Sequence, residues 1–245
     1  MSIPEVPIAL VTGANRGLGF EVSRQLAWQD ITVLLAGRNK TRGKAAAKRL
    51  RDEGLIVQFI ELDVTKPAQI KRTATEIRRR YGKLDILVNN AGISVDGAHG
   101  RNSTGTVSTK ALRKTFDVNF FGLVELTQRL LPLIRKSGAG RIVNVSSILG
   151  SMTVHSRERG MSYKPFAYDA SKTAVNVFTI HLAAALAGTN VKVNSVHPGW
   201  VRTDMGGPGA LLSPEEGAST VVRLATLGAD GATGKFFSGD DELPW

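Results

Sequence analysis

A tyrosine and a lysine lie four residues apart, at Tyr168 and Lys172. Side chains with that spacing share one face of a helix, so the ammonium can lie beside the phenol and stabilise its ionised form. Such a pair can hold and transfer a proton at one substrate atom. The same spacing also occurs by chance on solvated helix faces, so a chemical role requires that the rest of the chain build a ligand site next to it.

A glycine-rich turn near the N-terminus is the first candidate for that site. Residues 7–12 are an apolar run that predicts a buried strand, and a helical pattern through Val22 and Leu26 follows the turn. A glycine turn between a strand and a helix directs backbone N–H groups and the helix dipole at a phosphate. We therefore predict that a dinucleotide binds here, at Gly13, Asn15, Arg16, Gly17, Leu18 and Gly19.

The end of the second predicted strand indicates which dinucleotide binds. In a dinucleotide fold this point meets the adenosine ribose, where a carboxylate binds a free 2′-hydroxyl and an arginine pairs with a 2′-phosphate. The chain has Arg38 there and no acid at Ala36 or Gly37. Arg16, inside the glycine turn, can close on the same phosphate. A solvated loop position is the alternative for either arginine, but together they favour NADP(H) over NAD(H).

Polar residues at later strand ends allow two interpretations each. Asp63, before Val64, can accept a hydrogen bond from an adenine amino group or cap the turn before the next helix. The run 89–92 (Asn-Asn-Ala-Gly) can hold the centre of a sheet together or border a cofactor. Asn119, in the middle of a predicted helix, must be satisfied if it is buried, so it is either a helix–helix contact or a site group.

The order of predicted elements indicates an α/β fold. Strands at 7–12, 31–36, 55–62, 84–88, 140–145, 191–196 and 235–238 alternate with helices at 41–54, 66–82, 110–136, 167–186 and from 214 to about 228. Alternation of this kind predicts a parallel sheet covered on both faces. Residues 93–109, 148–166 and 203–212 are predicted loops, and the last of them, glycine-rich, is a candidate lid over a substrate.

Length and composition exclude several classes of protein. At 245 residues the chain suits a single domain, 1–245, and its 22% charged and 42% hydrophobic residues are typical of globular proteins. Without cysteine it has no disulfides and no thiolate site, and four histidines make a metal site unexpected. No apolar run or leader pattern predicts a membrane or export signal, so we expect a cytoplasmic protein. The net charge of +11 is spread along the chain, so we expect no nucleic-acid partner.

In combination, the motifs resemble those of the short-chain dehydrogenase/reductase family over essentially the whole chain. The matching motifs, in the family's order, are Thr12-Gly13-x-x-x-Gly17-x-Gly19, Asn89-Asn90-Ala91-Gly92, Asn119, Ser147, Tyr168-x-x-x-Lys172 and Pro198-Gly199. Further stretches, such as Asn119-Phe120-Phe121-Gly122 and residues 198–205, resemble the NADPH-dependent carbonyl reductases of the animal monomeric type. The segment between Ser147 and Tyr168 is shorter than in that group, which leaves the oligomeric state open between a monomer and a small homo-oligomer.

The resemblance implies a Rossmann-like doubly wound parallel sheet of about seven strands. It also implies hydride transfer from NADPH to a small-molecule carbonyl, with Tyr168 as proton donor, Ser147 donating to the carbonyl oxygen and Asn119 orienting a water. Lys172 would lower the pKa of Tyr168 and hold the nicotinamide ribose. Further cofactor contacts would come from Asp63, Val64, Asn90, Ala91, Gly92, Pro198, Gly199, Val201, Thr203 and Tyr168 itself. No role in this scheme falls to a histidine.

Three functions compete at this point. The complete set Asn119, Ser147, Tyr168 and Lys172 favours an NADPH-dependent reductase of ketones, aldehydes or quinones. A dehydrogenase of the same family for a steroid, sugar or acyl-thioester is the alternative, because the loops do not reveal the shape of the pocket. A non-enzymatic NADP(H)-binding regulator is the third, although such proteins typically lose a catalytic residue and this chain has lost none.

Overall fold

Eight strands form one sheet in the computed structural model, which describes residues 6–96, 102–157 and 163–245. The strands are β1 (Ile8–Val11), β2 (Thr32–Gly37), β3 (Val57–Glu61), β4 (Ile86–Asn89), β5 (Arg141–Val145), β6 (Lys192–Val196), β7 (Phe236–Ser238) and β8 (Asp241–Glu242). Their order is β3-β2-β1-β4-β5-β6-β7-β8, and every pair is parallel except β7–β8. The predicted doubly wound parallel sheet is therefore confirmed, with an additional short antiparallel strand at one edge.

Helices connect the strands and cover both faces. They are α1 (Gly17–Ala27), α2 (Lys40–Asp52), α3 (Pro67–Tyr81), α4 (Thr109–Phe116), α5 (Gly122–Ile134), α6 (Met152–Arg157), α7 (Phe166–Ala185) and α8 (Pro214–Ala225). The strand alternation sorts the core into two layers. Ala9 and Val11 of β1 pack with α1, α2 and α8, whereas Ile8 and Leu10 pack with α3, α5 and α7. Because both layers are apolar, β1 has no solvent-facing side.

The structure differs from two of the predicted elements. The single helix predicted over 110–136 is interrupted by one π-helical turn, Asp117–Phe121, which separates α4 from α5. This turn adds a residue to the helix and places Asn119 inward, where it is 1% exposed. The predicted loop 148–166 contains a 3₁₀ turn, Ile148–Gly150, and the short helix α6. Parts of this loop and of the loop 93–109 lie outside the described residues.

The chain crosses from one half of the sheet to the other between β3 and β4, so β1 and β4 are neighbours. A crevice opens at such a point, along the carboxyl ends of the strands. Buried amides brace the sheet below it: Asn89 donates to Thr127 Oγ1 and to Asn144 Oδ1, each at 2.9 Å. Asn89 is therefore a structural residue, in contrast to its neighbour Asn90, which lines the crevice.

Within the described part of the chain, no helix is long and apolar enough to cross a membrane. The same residues contain no group of three or more histidine, cysteine or acidic side chains that could hold a metal ion.

Candidate functional site

A cavity of about 1190 Å³ lies along the carboxyl ends of β1 to β6. It brings together nearly all the predicted site residues, from the six loops that follow these strands and from α7. Gly13, Asn15, Arg16, Gly17, Leu18, Gly19, Arg38, Asp63, Val64, Asn90, Ala91, Gly92, Ser147, Tyr168, Lys172, Pro198, Gly199, Val201 and Thr203 all line it. Asn119 does not line the cavity and lies behind it.

The glycine turn presents the N-terminus of α1 to this cavity. The cap residue, Arg16, is extended and makes no side-chain hydrogen bond to the helix within the described residues. The first N–H groups of a helix have no partner inside it, so those of α1 are available to a ligand. A Cβ at Gly13 would lie 2.9 Å from Ala91 Cα, and one at Gly19 would overlap Asn90 Nδ2. The glycines therefore allow the β4 loop to pack directly on the turn.

Thr12 and Asn90 hold the turn against the end of β4. Thr12 Oγ1 accepts hydrogen bonds from the backbone N–H groups of Asn90 and Ala91, each at 3.0 Å. The Asn90 side chain donates to the Thr12 carbonyl at 2.8 Å. The amide of Asn90 thus serves the architecture of the turn, while the residue also borders the cavity.

Arginines surround the cavity at the end of β2. Arg38 is exposed there, and Arg42, from the first turn of α2, also lines the cavity. Arg42 was not predicted as a site residue, although its position four residues after Arg38 indicates that the two cations can lie near each other. Arg16 pairs with Asp204 across the cavity, and both side chains are largely exposed. Cations outnumber acids in the lining: Arg16, Arg38, Arg42, Lys172 and Arg202 against Asp63 and Asp204.

This lining fits an anionic dinucleotide. The uncapped helix end and the glycine turn suit a diphosphate, and the excess of positive charge suits a further phosphate. Asp63 has the capping role that its position suggested, and its role toward an adenine stays a prediction. Its Oδ1 accepts from Thr65 N at 3.0 Å and from Thr65 Oγ1 at 2.7 Å, which caps the turn, and the residue still lines the cavity.

Ser147 and Tyr168 meet at the cavity through their hydroxyl groups. Burial raises the pKa of the Tyr168 phenol well above its usual value, and the hydrogen bond from Ser147 opposes this shift. Asp169, next in the chain, raises the pKa of Tyr168 further. The adjacent Ser146 points elsewhere, since its Oγ donates to the carbonyl of Lys172 at 3.3 Å. The phenol is therefore protonated at neutral pH.

Lys172 lies beside Tyr168 but does not lower its pKa in this structure. The ammonium donates to the Val145 carbonyl at 2.7 Å and lies 5.5 Å from the centre of the Tyr168 ring. Burial lowers the pKa of Lys172 to about 8, because the charged form loses its hydration. The expectation that Lys172 lowers the Tyr168 pKa is thus not met, since burial of both groups outweighs their attraction.

Asn119 joins the loop after β4 to α7. Its Oδ1 accepts from Ile93 N at 2.8 Å, and its Nδ2 donates to Ile93 O at 2.9 Å and to Ser171 Oγ at 3.0 Å. Both amide hydrogens are used, so only the second lone pair of Oδ1 can orient a water. A Cβ on Gly92 would lie 3.5 Å from both Asn119 Oδ1 and Lys172 Nζ, which places both groups beside Gly92.

Several other residues line the cavity without having been predicted. Apolar side chains from three loops form part of the wall: Ile93, Ile148, Leu149, Trp200 and Met205. Tyr163 and His197 also contribute, and burial lowers the pKa of His197 to about 4, so this imidazole is neutral. The loop that carries Trp200 is closed by hydrogen bonds, from Arg202 N to Leu212 O at 2.8 Å and from Leu212 N to Trp200 O at 3.0 Å.

Comparisons with known proteins agree with this geometry. The family profile described as short chain dehydrogenase matches residues 7–209. Carbonyl reductase [NADPH] 1 of Mus musculus is 36% identical over 98% of both chains. Short-chain dehydrogenase/reductase 1 of Saponaria officinalis is 34% identical over 97% of this chain and 95% of the relative. A crystal structure of NADPH-bound carbonyl reductase from chicken fatty liver matches with a TM-score of 0.86 and 25% identity, over 98% of this chain and 100% of that chain.

Proposed function

We propose, from the premise that the chain belongs to the short chain dehydrogenase family and is an NADP(H)-dependent oxidoreductase, that it reduces the carbonyl group of a ketone, aldehyde or quinone to an alcohol. One observation carries the proposal: the hydroxyls of Tyr168 and Ser147 are hydrogen-bonded to each other in the same cavity as the arginines and the glycine turn. A proton donor, a hydrogen-bond donor and an anionic-cofactor site thus share one space.

The cofactor would be held along the strand ends. The turn Gly13–Gly19 would bind the diphosphate, Arg38 and Arg42 the 2′-phosphate, and Asp63 with Val64 the adenine. Lys172 would hold the nicotinamide ribose and Thr203 the carboxamide. The remaining predicted contacts are Asn90, Ala91, Gly92, Pro198, Gly199 and Val201. When bound, NADPH supplies a hydride to the carbonyl carbon.

The residues of this chain would then handle the proton. Tyr168 donates its phenolic proton to the carbonyl oxygen, and its raised pKa keeps that proton available at neutral pH. Ser147 donates a hydrogen bond to the same oxygen and stabilises the negative charge that develops there. The Lys172 ammonium would act through the cofactor, by holding the nicotinamide ribose beside Tyr168, and Asn119 orients the loop and α7 around this position.

The cavity wall supports an uncharged, largely apolar substrate. Ile93, Ile148 and Leu149 contribute apolar surface, which Met205 extends from the loop at 203–213 and Trp200 extends from just before that loop. The substrate would bind under this loop, and residues 1–245 would form a single domain. A sugar would leave its hydroxyls without partners on such a wall, which makes the sugar alternative less favourable. Steroid and acyl-thioester substrates remain alternatives.

The direct test is NADPH oxidation with a panel of quinones, aromatic aldehydes, ketosteroids and keto-sugars. We expect turnover with the quinones and aldehydes, and rates with NADPH at least tenfold above those with NADH. Tight NADPH binding without turnover of any carbonyl would support the non-enzymatic regulator instead. Turnover limited to keto-sugars would overturn the substrate class while leaving the reaction type intact.

Arg38→Ala is expected to raise the Kd of NADPH by about tenfold or more and to leave the Kd of NADH nearly unchanged, because a charge-assisted hydrogen bond contributes roughly 1.5–3 kcal/mol. Fluorescence titration of both cofactors measures this difference. Lys44→Ala is the matched control, since Lys44 is an exposed cation on α2 outside the cavity. Equal losses of NADPH and NADH affinity would show that Arg38 does not recognise the 2′-phosphate.

A further inference from the structure

The helix that carries Tyr168 begins without a cap of its own. α7 starts at Phe166, and Tyr168 lies in its first turn. The preceding residue, Pro165, provides no side-chain hydrogen bond to the helix. The first N–H groups of a helix require partners from elsewhere, and a first turn without them frays. Fraying here would displace the phenol while Lys172, one turn further along, stays in the helix.

A separate loop supplies the missing partners. Asp96 Oδ2 accepts from Ala167 N at 2.5 Å, and Ser103 Oγ accepts from Phe166 N at 2.9 Å. Ser103 is itself buried, its N–H donates to the Lys164 carbonyl at 3.0 Å, and its hydroxyl lies 3.2 Å from Asp96 Oδ2. The loop that follows Asn90-Ala91-Gly92 therefore caps the helix that carries Tyr168, although Asp96 and Ala167 are 71 residues apart in the sequence.

The carboxylate oxygen of Asp96 stabilises the first turn of α7 by capping it, whereas the negative charge of Asp96 repels a nearby carboxylate. The Asp169 carboxylate faces Asp96, and burial followed by this neighbouring negative charge raises the pKa of Asp169 to about 7. Lys164 lowers the pKa of Asp169. His155, whose Nε2 lies 3.5 Å from Asp169 Oδ2, and Tyr163 are titratable groups that also face Asp169. A neutral acceptor in place of Asp96 would keep the cap and remove the repulsion between carboxylates.

We propose that Asp96 is a positioning residue for carbonyl reduction: by capping the first turn of α7 across the chain, it sets the place of the Tyr168 hydroxyl. The proposal rests on the proposed function, because it assigns Asp96 an effect on the rate only through Tyr168. Displacement of a reacting group by about 1 Å can cost on the order of 10²-fold in rate, so the loss of this cap reaches the chemistry. Asp96 itself touches neither substrate nor cofactor in this scheme.

Asp96→Ala is expected to lower kcat by tenfold or more, with the KM of the carbonyl substrate and the Kd of NADPH within threefold of the wild type. Asp96→Asn, whose side-chain oxygen can accept from Ala167 N, is expected to keep kcat within threefold. Ser108→Ala is the matched control. Ser108 caps α4 by accepting from Ala111 N at 3.1 Å, so its loss should lower the melting temperature similarly without a comparable loss of kcat.

Three results would overturn the proposal: an Asp96→Ala kcat within twofold of Ser108→Ala, an Asp96→Asn variant as impaired as Asp96→Ala, or an Asp96→Ala loss confined to KM. If Asp96→Ala does not fold, the Asn variant decides alone, and a tenfold loss of its kcat overturns the proposal. Tyr168→Phe, measured in parallel, separates this outcome from a failure of the proposed function. Full activity of that variant would reject the proton donor, whereas an inactive Tyr168→Phe beside a normal Asp96→Ala would reject only the positioning role.

Discussion

Tyr168→Phe is expected to lower kcat for carbonyl reduction by about 10³-fold, within the range that a positioned general acid contributes. The substitution removes the phenolic oxygen and retains the ring, so the packing of the first turn of α7 is unchanged. The lost hydrogen bond is the one to Ser147. We therefore expect the Kd of NADPH to stay within about threefold of the wild-type value, because the other proposed cofactor contacts are unchanged.

The measurement is steady-state NADPH oxidation together with a fluorescence titration of NADPH binding. Tyr81→Phe is the control for the loss of a phenolic hydroxyl, since Tyr81 ends α3 and does not line the cavity. A Tyr168→Phe variant with near-wild-type kcat would remove Tyr168 from the mechanism. A variant that loses NADPH binding in proportion to activity would assign the residue to the cofactor site instead.

Lys172→Met is expected to lower kcat by about 10²-fold, because the nicotinamide ribose would lose the ammonium that holds it beside Tyr168, and misplacement of a reacting group costs on this scale. It is also expected to raise the Kd of NADPH about tenfold through the loss of a charge-assisted hydrogen bond. Met has nearly the volume of Lys without the ammonium, so the packing of α7 remains. Lys71→Met, at an exposed position on α3, controls for the substitution itself.

The activity of the wild type should also depend on the ionisation of Lys172. Burial lowers its pKa to about 8, so the ammonium is present below that pH and is lost above it. Because kcat/KM for NADPH reports groups of the free enzyme, we expect it to fall above about pH 8 while the Tyr168 phenol stays protonated. A flat profile between pH 7 and pH 10 would exclude the ionisation of Lys172 from the rate.

The lowered pKa of Lys172 also predicts how stability depends on pH. Whereas activity is expected to fall above about pH 8, the free energy of unfolding is expected to rise. Between about pH 8 and the ordinary lysine pKa of 10.5, the unfolded chain keeps the proton on Lys172 and the folded chain does not. The free energy of unfolding therefore rises with pH in this range, by at most about 1.4 kcal/mol per pH unit. Denaturant unfolding at pH 8 and pH 10 should show this rise for the wild type and not for Lys172→Met.

The local pattern of residues predicted the main elements of the fold. Strong apolar runs bounded by turns located β1, β2 and β5 within a few residues. A strand that is buried on both faces requires apolar residues at nearly every position, so the sequence identifies it. Pattern could not predict the π-helical turn before Gly122 or the 3₁₀ turn after Ser147. The π-helical turn is held by hydrogen bonds of Asn119 with Ile93 and Ser171. The 3₁₀ turn is held by hydrogen bonds from Thr173 and Asn176 to the Gly150 carbonyl, so both turns depend on contacts with other elements.

Among the site residues, spacing alone placed Tyr168 and Lys172 on one helical face and the glycines between a strand and a helix. The helical repeat and the conformational freedom of glycine are local properties, so sequence determines them. The arginine at the end of β2 likewise predicted NADP(H) from position alone.

Only the tertiary structure decided the electrostatics and the support of the site. The pKa values of Tyr168 and Lys172 depend on burial by residues distant in sequence, which is why the expected lowering of the Tyr168 pKa is not met. Asp96 could not be recognised as a helix cap from the sequence, because it follows a different strand and meets Ala167 only when the sheet brings both loops to one edge. Local chemistry follows from the order of residues, but desolvation and contacts across the chain exist only after folding.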